Sequence, residues 1–254
     1  MSLSVNENSD YQSLLLSVEK FWENLSNDKI EFIPRITHVH SSHAAEQCSR
    51  PNSQTFHLGP EMNDVLASQI FRILVAHTFE SDFVMISDLD IVPLSSKYFS
   101  QILPRHARQF VVARDVISHE NQFPMCYLVA SPKLWGEVIS KVNPVHEFST
   151  ISKLAKFDKV LSFRGSLGWT FDQRYVFDKL ITWSKNGGDL VRLTDSHTRH
   201  RRLDRVIWPK ILIPILVLNR DYTDYHRKIP LSNFDTFINL FLHFRIKYLN
   251  HGRK

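Results

Sequence analysis

Three observations predict an α/β fold for this 254-residue chain. Hydrophobic periodicity alternates between 2 and 3.6 residues, as in a chain whose strands are interleaved with helices. An unbroken apolar run, Phe83-Val84-Met85-Ile86, has the character of a central parallel strand. No linker, internal repeat or low-complexity segment divides the sequence, so one domain over 1–254 is expected. A chain of this length hides about three quarters of the surface its unfolded form exposes. Hydrophobic residues at 43% and charged residues at 22% exclude general disorder.

The elements follow in order. Leu3 to Val5 reads as a short first strand. Ser9 with Gln12 makes a capping-box pattern, and Tyr11, Leu14, Leu15, Val18, Trp22 and Leu25 fall on one face of the helix it opens. Ile30 to Val39 alternates like a second strand, which Pro34 assigns to a sheet edge. Residues 41–60 are polar and irregular and read as a mobile loop. Pro60 and Glu61 open a second helix, which runs to about Phe79 and is apolar on most faces. The run 83–86 then ends in Ser87-Asp88-Leu89-Asp90. Strands are expected near 109–114 and 125–130, and helices near 132–141 and 147–157. Thr170 with Gln173 repeats the capping-box pattern at the start of a long helix. Asn186-Gly187-Gly188 is a turn, and 189–193 a strand.

Composition narrows the setting. Two cysteines, Cys48 and Cys126, make neither a disulfide framework nor a four-thiolate zinc site, and a reducing compartment is the simpler reading. The first residues carry no basic and apolar leader pattern. The longest apolar run, Ile211 to Leu218, is broken by Pro214 and falls far short of the ~20 residues of a membrane span, so a soluble, cytoplasmic protein is expected. A net charge of +5 suits an anionic ligand, although a generally basic surface explains it equally well.

Asp88-Leu89-Asp90, at the end of a buried strand, carries the most chemical information. Ligands of open α/β sheets bind outside the carboxyl ends of the strands. Two carboxylates one residue apart repel each other unless a cation or a proton sits between them. Their hard oxygens suit Mg²⁺ or Mn²⁺, ions that commonly bridge a phosphate-bearing substrate. A solvated pair at a strand end is the other reading of the same residues.

The segment Phe83 to Leu94 with Tyr98-Phe99 resembles the DxD segment of GT-A glycosyltransferases, and the likeness extends in order over most of the chain. Within that group it is most similar to the small soluble glycosyltransferases of large algal DNA viruses and their cellular relatives. The resemblance implies a GT-A (Rossmann-like) mixed, mostly parallel sheet with helices on both faces. It also implies a nucleotide-binding half over 1–95 and a sugar- and acceptor-binding half over 96–254. A divalent metal on Asp88 and Asp90 would hold the diphosphate of a nucleotide sugar, UDP-linked by expectation, for transfer to a carbohydrate or glycoprotein-glycan hydroxyl. Ser4, Asn6 and Asn8 match the loop that receives the base, and Gln69 and Arg72 match nucleotide-facing positions. Phe123 to Ala130, with Trp135, matches the strand and helix under the donor sugar, and Trp169 to Gln173 the acceptor side. A late histidine often completes the metal shell in this family, which makes His226 of Asp224-Tyr225-His226 the candidate.

The remaining polar clusters keep two readings each. Asp172, in the first turn of its helix, either favours the helix dipole or binds a sugar hydroxyl, taking its proton if configuration inverts. The cluster Arg199 to Arg205 is either a solvated loop or a mobile one that orders over a diphosphate through Arg201 and Arg202. Nucleic acid is not expected there, because no aromatic platform accompanies the charge. His38, His40 and His43 lack a carboxylate or cysteine at a familiar zinc spacing. Rival functions are a haloacid-dehalogenase-type phosphohydrolase, whose late acidic motif Gly188-Asp189 with Asp195 only approaches, and a non-catalytic nucleotide-sugar or RNA-binding module.

Overall fold

The computed structural model describes residues 1–6, 8–40, 52–59, 63–154, 170–204 and 222–226, the last of each of the final three stretches by backbone alone. Glu7, His43, Cys48, Pro60, Glu61, Trp169, Arg205 and the apolar run 211–218 lie outside the described residues. In chain order the elements are β1 (Ser2–Val5), α1 (Ser9–Gln12), α2 (Leu15–Glu23), β2 (Arg35–His40), β3 (Ser53–His57), α3 (Asp64–Leu74) and β4 (Val84–Ile86). There follow β5 (Ile91–Pro93), α4 (Ser96–Gln101), β6 (Gln109–Val112), β7 (Leu128–Ala130), α5 (Pro132–Val138) and α6 (Pro144–Leu154). The last are α7 (Phe171–Lys185), β8 (Asp189–Arg192), α8 (Asp195–Thr198), β9 (Arg201–Asp204) and β10 (Tyr222–His226).

These elements form two compact units, each assembled from three segments of chain. The first takes 1–7, 35–87 and 103–194; the second takes 8–34, 88–102 and 195–254. The division thus falls at other points than the expected halves at 95/96. The first unit is the predicted α/β fold: a seven-stranded sheet in the order β3-β2-β1-β4-β7-β6-β8, mixed and mostly parallel, with β7 antiparallel to both neighbours. Its core joins Val39, Ile86 and Phe110 of the sheet to Phe71, Trp135, Phe148 and Leu180 of the helices. Phe71 meets Phe56 at 4.7 Å and Phe148 at 5.4 Å between ring centroids, within the range where aromatic pairs add to burial. The indole of Trp135 donates to the Val84 carbonyl at 3.1 Å, which ties α5 to β4. The second unit holds α1, α2, α4, α8 and a three-stranded sheet in the order β5-β10-β9. Trp22 of α2 packs against Phe99 of α4 at 4.9 Å and Phe32 at 5.5 Å. Among the described residues no helix is long and apolar enough to cross a membrane.

Several expectations are corrected. Pro34 does not mark an edge: β2 begins after it and runs between β1 and β3, with proline's missing N–H left outside the ladder. Within the expected loop 41–60, Ser53–His57 is a strand paired in parallel with Ile36–His40. The first helix starts at the N-cap Asn8, whose side chain accepts from the Asp10 amide, and not at a Ser9 capping box. Thr170 is the N-cap of α7 without a side-chain capping bond. Within the cluster Arg199 to Arg205, read as a loop, 201–204 is the strand β9, whose ladder with β10 supplies the order that apolar anchors do not.

Candidate active site

Strand β4 lies between β1 and β7, and the Ser87 amide beyond it donates to the Ser2 carbonyl at 3.3 Å. The chain then enters the second unit, where Leu89 and Asp90 form a turn before β5. The Ile91 amide donates to the Asp88 carbonyl at 3.4 Å across that turn. Asp90 is buried and Asp88 half-buried. Strand β5 pairs antiparallel with β10 in the register Ile91 with His226, Val92 with Tyr225 and Pro93 with Asp224. The backbone of His226 therefore stands opposite the residue that follows Asp90. The two aspartates and the histidine, 136 residues apart between Asp90 and His226, are brought to neighbouring positions by this ladder.

Two carboxylates and an imidazole form an oxygen-and-nitrogen donor set that suits Mn²⁺ or Mg²⁺. Among the described residues no three His, Cys, Asp or Glu side chains converge on one point; the His226 side chain is not among those described. Among the described residues the other histidines join no group of three such ligands. His38, His40 and His57 stack in a row with ring centroids 6.2 and 5.8 Å apart.

The remaining candidates are placed as follows. Arg72, on α3, is buried and ion-paired with Asp172 of α7, Nη2 to Oδ2 at 2.6 Å. Its Nε also donates to the Gln69 carbonyl and its Nη1 to the Ser87 carbonyl. Asp172 accepts the amide of Gln173 at 2.8 Å and is 2% exposed. Sequence reasoning could not see the Arg72–Asp172 pair, because nothing local links residues 100 positions apart. Ser4 Oγ donates to the Ser68 carbonyl, and Asn6 donates to the Asp64 carboxylate at 3.2 Å. Asn8 caps α1, and Gln69 is half-buried on α3.

In the second unit Arg201 is exposed, while Arg202 binds Asp224 through two parallel bonds, Nε–Oδ1 at 2.6 Å and Nη2–Oδ2 at 3.0 Å. Arg202 lies in strand β9 and is paired with a residue of β10. Tyr175, on α7, is a feature the sequence did not flag. Its hydroxyl is buried without a hydrogen-bond partner among the described residues, and burial, with Glu147 nearby, pushes its ionisation well above the usual tyrosine range.

No family model matches the chain and no curated protein sequence does, so the likeness to the algal-virus enzymes finds no sequence match. Solved structures do resemble it. The galactosyltransferase LgtC, in complex with donor and acceptor sugar analogs, aligns at a TM-score of 0.49 and 11% identity over 96% of this chain and 94% of that one. The glycosyltransferase GlyE of Streptococcus pneumoniae TIGR4 aligns at 0.46 and 10% over 98% of this chain and 62% of that one. The bifunctional glycosyltransferase WbbM aligns at 0.44 and 11% over 96% and 48%. All three are glycosyltransferases, and at these values the likeness carries no argument about what this chain does.

Proposed function

We propose that this chain is a metal-dependent glycosyltransferase that moves a sugar from a nucleoside diphosphate sugar, UDP-linked, to a carbohydrate hydroxyl. The observation that carries the reading is the β5–β10 register, which stands His226 beside the Asp88-Leu89-Asp90 turn.

Asp90 and Asp88, with His226, would hold Mn²⁺ or Mg²⁺. When bound, the ion supplies Lewis-acid charge neutralisation for the leaving diphosphate. The burial of Asp90 keeps its carboxylate in one orientation and limits competing water. Asp172, paired with Arg72, binds a sugar hydroxyl in this reading, and takes its proton if configuration inverts. Ser4, Asn6, Asn8 and Gln69 face the nucleotide in this reading, and Arg201, the exposed arginine of β9, is the one that meets phosphate.

Calorimetry with UDP in the presence and absence of Mn²⁺, and donor turnover in the same preparation, test the proposal. UDP binding that requires Mn²⁺, with turnover abolished in a folded Asp90→Ala variant, is expected. Full turnover by Asp90→Ala in excess chelator would overturn it.

A further inference from the structure

The first unit carries a cavity that the proposed reaction does not use. It lies between helices α5 and α7, measures about 370 Å³ and is lined wholly by residues of that unit. Two rows of α7 residues, each repeating every four positions and so sharing one helix face, line it: Tyr175, Lys179 and Trp183, and beside them Asp178, Thr182 and the C-cap Asn186. Helix α5 contributes Glu137. Trp183 is held in place. A Cβ at Gly188 would sit over its ring, 2.3 to 2.6 Å from Cδ2, Cε2 and Cε3, so only a glycine lets the chain lie against the indole there. The Trp183 carbonyl accepts the Gly188 amide at 3.1 Å, and Phe110 meets the indole edge-on with ring centroids 6.4 Å apart. A ring fixed in this way loses little freedom when a ligand settles on it.

The lining selects the chemistry of its ligand. The Lys179 ammonium sits 5.4 Å from the centroid of the Tyr175 ring, so this ring already has its cation, which argues against a cationic ligand caged by aromatics. The carboxylates of Glu137 and Asp178 outnumber the single ammonium of Lys179, which opposes a phosphate or any other anion. A neutral ligand remains. Among the described residues the side chains of Glu137, Asp178, Thr182 and Asn186 make no hydrogen bond or ion pair with one another or with the rest of the chain. Together they offer carboxylate acceptors, a hydroxyl and an amide, hence donors and acceptors both, beside an indole. The matching ligand carries hydroxyls that donate and accept on a ring with an apolar C–H face, which describes a neutral sugar. The volume belongs to the small end of ligand pockets, roughly 300–1,000 Å³.

We infer that the α5–α7 cavity is a binding subsite for neutral carbohydrate, with Trp183 as its stacking surface and Glu137, Asp178, Thr182 and Asn186 as partners of the sugar hydroxyls. The subsite needs neither metal nor donor and shares no residue with the Asp88-Leu89-Asp90 turn, so it stands or falls apart from the proposed transfer reaction. The test presents the full chain, in EDTA, to an array of immobilised neutral, sialylated and phosphorylated glycans. The strongest neutral binder is then titrated calorimetrically against wild type and variants, each checked for folding by circular dichroism. Neutral glycans are expected to be retained in EDTA, and Trp183→Ala to weaken the titrated one about 10-fold or more, as truncation of an aromatic anchor does. Thr182→Trp, at an exposed helix position, fills the cavity without touching the core, and the same loss is expected should Trp183→Ala fail to fold. Asp90→Ala is expected to bind the glycan as wild type does. No neutral glycan retained, or affinity unchanged in folded Thr182→Trp, would overturn the subsite, as would preference for the sialylated or phosphorylated glycans. Binding lost in Asp90→Ala would move the glycan to the proposed transfer site and overturn the subsite alone. Turnover absent from the wild-type chain, with glycan binding intact, would overturn the proposed reaction and leave the subsite.

Discussion

Among the described residues each compact unit contains an arginine–aspartate pair taken out of water, Arg72–Asp172 and Arg202–Asp224, and the two are built differently. In the first, Arg72 and Asp172 join helices α3 and α7 across 100 residues of sequence through an Nη2–Oδ2 bond, while the guanidinium also donates to the carbonyls of Gln69 and Ser87. In the second, Arg202 and Asp224 join adjacent strands 22 residues apart, with both bonds made to the one carboxylate. Burial does not separate them, since the arginine side chains are 10% and 13% exposed and the aspartates 3% and 0%. Their surroundings do. Around the first pair the sheet and helices share a continuous apolar core, and close packing already decides which elements meet. Around the second, three short strands and a bulge leave register weakly specified. The same chemistry thus fills a packed interior in one place and selects an alignment in the other.

The largest effects should come from removing one partner. Asp172→Ala and Asp224→Ala each strand a guanidinium in the interior and are expected to destabilise by about 3–5 kcal/mol, measured by urea unfolding. Replacing both partners sharpens the contrast. Arg72→Met with Asp172→Leu, and Arg202→Met with Asp224→Leu, are both expected near wild-type stability, because apolar side chains of similar volume replace a buried pair without leaving a charge. A double variant that falls well below wild type would show that its pair does more than fill the interior.

A smaller effect tests how tightly the first unit is packed. A Cβ at Gly188 would overlap the indole of Trp183, whose carbonyl also receives the Gly188 amide at 3.1 Å. Gly188→Ala is expected to destabilise by about 1–3 kcal/mol, as overpacking does, and a loss near zero would mean that the turn between α7 and β8 yields.

The smallest effect concerns Tyr175. Its hydroxyl has no partner among the described residues, so Tyr175→Phe should lie within about 1 kcal/mol of wild type at neutral pH. Alkali separates the two proteins. The folded state holds the Tyr175 proton, through burial and then Glu147, at pH values where the unfolded chain has released it near the ordinary tyrosine value of about 10. The group's contribution to stability is complete below about pH 10 and is lost as pH rises beyond it. Urea midpoints between about pH 9 and 11 should therefore fall more steeply for wild type than for Tyr175→Phe, and parallel curves would show that the phenol is solvated.

Much of the first unit was legible where burial is written locally. The apolar run before Asp88, the strand at Leu3 to Val5 and the Asn186-Gly187-Gly188 turn each carry their own signal, the last with Gly187 at φ +90°. Strand β3, Ser-Gln-Thr-Phe-His, carries none: its residues are half-buried or exposed, and it is a strand because β2 offers it a ladder. Strand β9, Arg-Arg-Leu-Asp, looks like a charged loop for the same reason, since one of its charges is neutralised by a residue on another strand. In the site, the two aspartates announced themselves by their position after an apolar strand. The roles of Asp172 and Arg202 did not, because an ion pair is a property of two residues and sequence shows them singly.

The sequence by itself determined that the chain forms an α/β fold and that a carboxylate pair follows one of its buried strands. Both are consequences of side-chain periodicity and solvent preference over a few neighbouring residues. Only the tertiary structure decided which charges are spent on each other and which register β10 adopts beside that carboxylate pair. Those outcomes depend on ladder bonds and on the penalty for burying an unpaired charge, both of which join residues far apart in the chain.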